Sequence, residues 1–183
     1  MDNISDSEAV ILGILCDTPK YGYQIDKIME DQSVREWTEI AFSSIYYILN
    51  KLEHKKLVNS KLHATEKNRT RKIYSITEKG LELLRQNVKE KISKVCLTKW
   101  PIDIGLANLD ILTSKDIEKH LKHYRNNLEV VIKGYQALKQ YLVEQECPVN
   151  RLQLADRPIL IYQAELEWVS HFISQIKKEN NKS

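Results

Sequence analysis

The sequence of 183 residues lacks any apolar run near the roughly eighteen residues that a transmembrane helix requires. Its first residues, MDNISDSEAV, carry no basic flank of the kind that begins a secretory signal peptide. We therefore expect a cytoplasmic protein that is not inserted in a membrane. Hydrophobic residues make up 42% of the chain and charged residues 29%, and these ordinary globular proportions exclude an intrinsically disordered chain.

Cysteine, glycine and proline are also scarce. The three cysteines, Cys16, Cys96 and Cys147, stand far apart, which excludes a disulfide framework or a zinc finger and is typical of a reducing compartment. Only five glycines and four prolines interrupt the chain, and this favours long helices with few loops. No nucleophile motif, phosphate-binding glycine loop or metalloprotease signature is present, so we expect neither an enzyme nor a cofactor or metal site.

The formal net charge is only +3, but the charges are distributed unevenly along the chain. Residues 1–40 contain three basic and nine acidic side chains, whereas residues 41–95 contain thirteen basic and five acidic ones. The remaining residues are almost balanced. A local basic excess of this size indicates a surface for an acidic partner, with nucleic acid as the first candidate.

The apolar spacing of the first part predicts three helices. The first opens after Asp6 or Ser7, the second covers residues 23–30, and the third follows the candidate caps Ser43 and Ser44. After them the apolar pattern changes from a helical period to short alternating runs. We therefore expect a helical segment followed by strands.

Two such runs, residues 57–62 and 72–76, predict the strands of a hairpin with a polar, basic tip around Asn68. Thr77 is expected to cap a fourth helix. The inward face of that helix is predicted to carry Leu81, Leu84, Val88, Ile92 and Val95. Three helices followed by a basic hairpin is the order of a winged helix-turn-helix domain, which we assign to residues 1–95.

Residues 96–183 are predicted to form two long antiparallel helices. The first has apolar positions in alternating steps of four and three: Ile117, Leu121, Tyr124, Leu128, Val131, Tyr135, Leu138 and Leu142. The second, after Pro148 and Pro158, has them at Ile159, Tyr162, Leu166, Val169, Ile173 and Ile176. Such heptad seams need a partner, because two slender helices cannot bury both stripes alone. We expect a homodimer, hence a mainly α fold with a β-hairpin wing and a helical dimerisation and effector domain.

The third helix and the hairpin are the strongest candidates for function, because eight basic and two acidic residues lie between Lys51 and Lys72. A helix fits the major groove of DNA while a hairpin reaches the adjacent backbone or minor groove. The candidate DNA-binding residues are Tyr21, Gln24, Ser43, Ser44, Tyr46, Tyr47, Asn50, Lys51, Arg69, Thr70, Arg71 and Lys72. The amide of Asn50 suits an adenine edge, and the cations of the hairpin suit phosphates. The alternative is a solvated basic face without a partner.

Three aromatic residues of the second part are candidates for a small-molecule site. Trp100 lies in the joint between the two parts, Tyr124 on the first seam, and Trp168 just off the second. Aromatic rings of this kind stack on planar ligands. Packing within a core or an interface is the simpler interpretation of both tryptophans.

Several motifs follow one another between residues 8 and 85. Residues 21–25, YGYQI, carry a glycine–tyrosine motif, residues 44–53 contain SIY, a leucine and LE, and residues 69–80 read RTRKIYSITEKG. In this order they resemble the PadR-like family of transcriptional regulators, with a recognition helix and a wing. The family usually has glycine where Lys56 stands, so we expect Lys56 to adopt a left-handed conformation that costs about 1 kcal/mol.

The resemblance implies a repressor that binds an inverted-repeat operator in double-stranded DNA. It also implies dimerisation through the C-terminal helices, and release from DNA when a small molecule, often aromatic or phenolic, binds. The rival interpretation is a protein-interaction module, in which the winged helix and the heptad helices dock a protein partner. Enrichment of one genomic site would favour the repressor.

Overall fold

The computed structural model describes residues 3–31, 34, 38, 40–64 and 70–180, and the chain divides into two compact units, residues 1–97 and 98–183. The elements of the first unit are α1 (Asp6–Ile14), β1 (Lys20–Tyr21), α2 (Gly22–Asp31), α3 (Phe42–His54), β2 (Val58–Ala64), β3 (Thr70–Ile76) and α4 (Glu78–Ser93). Those of the second are α5 (Pro101–Leu106), α6 (Ser114–Glu144) and α7 (Val149–Asn180), with a 3-10 turn at Leu109–Ile111. The roles predicted for the two domains remain predictions.

The ends of α1 and α3 differ from the predicted caps. Ser5 caps α1, because its Oγ accepts from the Glu8 N–H at 3.3 Å and the Glu8 carboxylate accepts from the Ser5 N–H at 2.7 Å. This reciprocal box needs an acidic or amide side chain three residues after the cap, which Asp6 lacks. In α3 the cap is Ala41, without a side-chain bond, so Ser43 lies inside the first turn.

The core of the first unit is formed where α1, α2 and α3 bring their apolar faces together. Its most buried members are Ile11, Leu12, Ile25, Met29, Ile45, Leu49, Leu52, Leu57 and Val58. In α2 and α3 they recur at three- and four-residue spacing, as one buried stripe requires. The opposite face of α3 is left to solvent.

The hairpin is antiparallel, with a register that runs from Val58 opposite Ile76 to Ala64 opposite Thr70. β1 extends it to a three-stranded sheet in the order β1-β3-β2. This strand was not predicted, because two residues carry no alternation. Before β2 the chain reverses at Lys56, whose φ of 59° confirms the left-handed conformation expected there.

The predicted start of α4 is confirmed, and the prediction of its inward face is partly wrong. The Thr77 Oγ1 accepts from the Gly80 N–H at 3.0 Å and caps the helix. Val88 and Ile92 are exposed, and Val95 lies beyond the last helical residue. Only the first two turns of α4 reach the core of their unit, so the regular apolar spacing overstates what is buried there.

In the second unit α6 and α7 form an antiparallel hairpin joined by four residues. Ion pairs link Lys139 to Asp156 at 2.6 Å and Lys177 to Glu118 at 3.5 Å, near opposite ends of the hairpin. The shared core consists of Ile117, Leu121, Leu128, Val169 and Ile173. No helix in the described ranges is both long and apolar enough to cross a membrane.

Two details of the seams are corrected. Val131 is exposed and its neighbour Ile132 is buried, because a straight helix of 3.6 residues per turn drifts away from a strict heptad pattern. Pro158 lies inside α7 rather than before it, since the helix already begins at Val149.

Candidate nucleic-acid interface

One face of α3 is open to solvent along its length. Ser43, Tyr46, Tyr47, Asn50 and Lys51 are exposed on it, while the buried stripe of the same helix packs in the core. Tyr47 keeps 70% of its surface exposed, which is unusual for a large aromatic side chain. The structure therefore brings five of the six predicted residues of this helix onto one face. The sixth, Ser44, is half-buried at its edge.

The start of α2 is fitted closely to that face. A Cβ placed on Gly22 would lie 2.6 Å from Cε1 of Tyr46, so glycine is required for the tyrosine ring to rest there. The amide oxygen of Gln24 accepts from the Tyr21 N–H at 2.9 Å and fixes the first turn of α2. One acceptor position of the Gln24 amide is therefore used within the protein, and its N–H groups remain available to a partner.

A row of stacked side chains crosses the outer surface of the sheet. The rings of Tyr21 and Tyr23 stack with centroids 5.6 Å apart, and Cζ of Arg71 lies 5.2 Å from the centroid of Tyr23. At the other end the Tyr21 hydroxyl is 3.0 Å from Nδ1 of His63, within hydrogen-bonding distance. A cation above an aromatic face is attracted by the ring quadrupole, so this row holds Arg71 in place. Sequence reasoning did not include Tyr23 or His63 among the site residues.

A second set of contacts ties the wing, the hairpin of β2 and β3, to α3. The Glu53 carboxylate of α3 accepts a hydrogen bond from the Ser60 hydroxyl of β2 and from Nζ of Lys72 in β3, the latter at 3.0 Å. These bonds hold the pKa of Glu53 below its ordinary value, and the same carboxylate raises the pKa of Lys72. Lys72 is therefore not the unpaired cation that its place in a basic segment suggests. Glu53 stood in the recognition-helix motif, but its partners depend on the hairpin register.

Between the start of α2, α3 and β3 lies an open pocket of about 680 Å³. Its walls are formed by Tyr21, Gly22, Tyr23, Tyr46, Arg71, Lys72 and Tyr74. Phenol groups and cations surround the same space, and both are donors to anions. The pocket is therefore chemically suited to a phosphate oxygen.

Lys51 also has an internal contact. Its Nζ is 3.4 Å from Oε1 of Glu8, the buried carboxylate that Lys55 approaches to 2.7 Å. Burial alone would raise the pKa of Glu8, but the hydrogen bonds from Lys55 and from the Ser5 backbone together bring it below its ordinary value. Lys51 thus shares a counter-ion with Lys55, and its ammonium remains partly exposed.

The last predicted residues of the wing divide into two groups. Thr70 and Arg71 are exposed on β3. Arg69, together with Asn68 at the predicted tip, lies outside the described residues. The DNA contact predicted for Arg69 stays a prediction from the sequence.

The candidate effector residues are only partly brought together. The Tyr124 hydroxyl donates to Oε1 of Glu165 at 3.0 Å, and burial together with that carboxylate raises the pKa of Tyr124 to about 12. Trp168 stacks on Phe172 with centroids 5.8 Å apart and borders the same apolar cluster as Tyr124. Trp100 precedes α5 and lies outside that cluster. Among the described residues no group of acidic, histidine or cysteine side chains is suited to hold a metal ion.

Comparison with known proteins gives a consistent picture. Residues 11–86 match the model of the transcriptional regulator PadR-like family. The fold is similar to that of Bacillus subtilis PadR in complex with operator DNA, at 15% identity and a TM-score of 0.75, with 94% of this chain and 99% of that chain covered. The structure of the same protein in complex with p-coumaric acid has 15% identity and a TM-score of 0.72, with 93% of this chain and 98% of that chain covered.

A third structure, the Vibrio cholerae virulence activator AphA, has 17% identity and a TM-score of 0.66, with 94% of this chain and 98% of that chain covered. These likenesses concern the fold alone. No curated protein matches the chain in sequence. The mainly helical fold with a small antiparallel sheet and a C-terminal helical region, as predicted from the sequence, is confirmed.

Proposed function

We propose that this chain, whose residues 11–86 match the model of the PadR-like family of transcriptional regulators, belongs to that family and is a sequence-specific DNA-binding repressor. Family and fold are those of transcriptional regulators. The observation that carries the proposal is the exposed face of α3, with Tyr47 and Asn50 at its centre, beside the cation Arg71 of the wing. This combination offers base-reading and phosphate-binding groups on adjacent elements.

In the proposed complex α3 enters the major groove. Asn50 donates to and accepts from an adenine edge, and the exposed Tyr47 contacts a base or a sugar. Ser43 and the hydroxyl of Tyr46 donate to phosphates near the start of the helix. The wing follows the neighbouring backbone with Thr70 and Arg71, and the predicted Arg69 continues this line. The fold of Bacillus subtilis PadR, which was solved with operator DNA, supports the arrangement.

The repressor acts as a homodimer in the cytoplasm, and its α6 and α7 form the dimer interface. Apolar side chains that stay exposed on these helices support this part of the proposal: Val130, Val131, Tyr141, Val143, Leu154 and Leu160. A second copy of the chain, related by a two-fold axis, is the simplest partner that would cover such side chains. Two heads related by a two-fold axis read an inverted repeat, with half-site centres about 34–36 Å apart or a multiple of that distance.

A small aromatic or phenolic ligand releases the repressor from its operator. The apolar cluster that contains Tyr124 and Trp168 is the candidate site, because it joins ring faces to a phenol and a carboxylate. The complex of Bacillus subtilis PadR with p-coumaric acid supports this choice of ligand class. The ligand lowers DNA affinity only by the difference in its affinity for the two states of the protein.

The direct test is binding of the purified protein to duplexes from its own promoter region at several salt concentrations. The proposal expects one preferred duplex and a steep fall of affinity with salt, because phosphate contacts release counterions. Transcription from that promoter should rise when the gene is deleted. Failure to bind any duplex, together with recovery of a stable complex with another protein, would favour the interaction module instead.

A further inference from the structure

We propose that the two adjacent cations of the wing, Arg71 and Lys72, have different roles. Arg71, positioned by Tyr23, contacts a DNA phosphate, whereas Lys72, although exposed, stays paired with Glu53 as a clasp that connects the wing to α3. The inference rests on the proposed DNA binding and goes beyond it, since the positive charge of the segment alone does not distinguish one cation from the other. It also names Tyr23 as a positioning residue.

Strand geometry separates the two side chains first. Successive residues of a strand point to opposite faces of the sheet, so Arg71 and Lys72 leave β3 in opposite directions although both border the pocket. Arg71 lies directly opposite His63 in the register, and its guanidinium rests on Tyr23. Lys72 lies opposite Leu62 and turns its ammonium to α3.

Arg71 has its donors available. The guanidinium is planar with N–H groups around its edge, so a ring beneath its face leaves that edge free for a bidentate bond to phosphate oxygens. In the part of the chain that the structure describes, no carboxylate forms an ion pair with Arg71. Its stacking partner Tyr23 is itself stacked on Tyr21, so the guanidinium is held before DNA arrives. Such preorganisation reduces the entropy lost on binding.

Lys72 has its charge already compensated. Its Nζ is 3.0 Å from Oε2 of Glu53, and the other oxygen of that carboxylate accepts from Ser60. One carboxylate thus joins α3 to both strands of the wing. To bind a phosphate, Lys72 would have to leave Glu53 without its cation beside an anionic duplex. The pair as it stands carries no net charge and therefore releases no counterions from the DNA phosphates.

The main experiment measures operator affinity of the full-length dimer from about 50 to 200 mM salt for wild type, Arg71→Gln and Lys72→Gln. Each phosphate contact contributes about 0.9 to the slope of log K against log salt. Arg71→Gln should therefore flatten the slope by about 0.9 per protomer. Lys72→Gln should weaken binding but keep the wild-type slope. Equal flattening in both variants, or flattening in Lys72→Gln alone, would overturn this assignment of roles.

Tyr23 is tested by a double-mutant cycle with Arg71. Tyr23→Phe keeps the ring and should bind like wild type, whereas Tyr23→Leu should weaken binding about two- to fivefold. In the Arg71→Gln background Tyr23→Leu should have no further effect, because the group it positions is gone. An equal loss in both backgrounds would show a merely structural role and would contradict the assignment of Tyr23.

The clasp is tested without DNA. Hydrogen exchange of the amides in β2 and β3 should accelerate in Glu53→Gln and Lys72→Gln and stay unchanged in Arg71→Gln, the matched control. Unchanged exchange in the first two variants would overturn the clasp whether or not the protein binds DNA. Wild-type protein that binds no duplex would instead remove the proposed function, and with it the phosphate contact of Arg71.

Discussion

Oε1 of the buried Glu8 lies 2.7 Å from Nζ of Lys55, so a carboxylate of α1 is paired with a cation just after α3. The same carboxylate completes the capping box at the start of α1 through Ser5. One side chain therefore fixes the first helix to the end of the helix that we propose reads DNA.

Replacing Glu8 with glutamine should lower the free energy of unfolding by about 1–3 kcal/mol at neutral pH, because a buried charge-assisted hydrogen bond is lost. The pKa of Glu8 is lowered in the folded state, so its contribution is fully present above the unfolded value of about 4.3 and is lost as the pH falls through the lower folded value. Urea unfolding at several pH values measures this. The difference between wild type and variant should be constant at neutral pH and shrink below about pH 4. A difference that grows on acidification would contradict the pairing.

Asn50→Ala should change which operator is preferred. Loss of a bidentate contact to a base is worth about 1–3 kcal/mol on the duplex with the matching base and nothing on duplexes that lack it. Affinities for a panel of single-base operator variants would measure this effect. Arg71→Gln is the control, since it should weaken every duplex alike. A uniform loss in Asn50→Ala would show that Asn50 reads no base.

Gly22→Ala should reduce operator affinity while the head stays folded. The added Cβ would lie 2.6 Å from Cε1 of Tyr46, so the tyrosine ring must move away from its place beside α2. Gly13→Ala is the matched control, because nothing lies within 4 Å of a Cβ at that position. Thermal unfolding and operator titration of both variants would separate stability from binding. Equal operator affinities in the two variants would contradict the role given to Tyr46.

An aromatic carboxylic acid such as p-coumaric acid should quench the fluorescence of Trp168 and release the operator. The ring of Trp168 borders the apolar cluster proposed as the ligand site, whereas Trp100 lies outside it. We therefore expect the quenching to disappear in Trp168→Phe and to persist in Trp100→Phe. The reverse pattern would place the ligand site at Trp100 instead.

The sequence predicted what periodic patterns and local chemistry can express. The apolar period of α3 separates Ile45 and Leu49 from the exposed Tyr47 and Asn50 without knowledge of any tertiary contact. The left-handed conformation of Lys56 was expected because the family that the sequence resembles usually has glycine at this position. Both features depend on residues close together in the chain.

Features that depend on pairing across the chain were missed. Glu53 finds Ser60 and Lys72 only once the hairpin register is set, and Tyr23 meets Arg71 only after β1 has joined the sheet. A regular spacing also does not show where a core ends, which is why the burial predicted for Ile92 of α4 was wrong. The charge of a segment therefore did not reveal which of its cations is unpaired.

The central claim is that the exposed face of α3 reads one DNA sequence, and selection of genomic fragments by the purified protein followed by sequencing tests it most directly. The proposal predicts one enriched inverted repeat with half-site centres about 10–10.5 base pairs apart, or a multiple of that spacing. The variant Tyr47→Ala/Asn50→Ala should lose this enrichment while retaining its fold. Enrichment of no motif by the wild-type protein, or of the same motif by the variant, would contradict it.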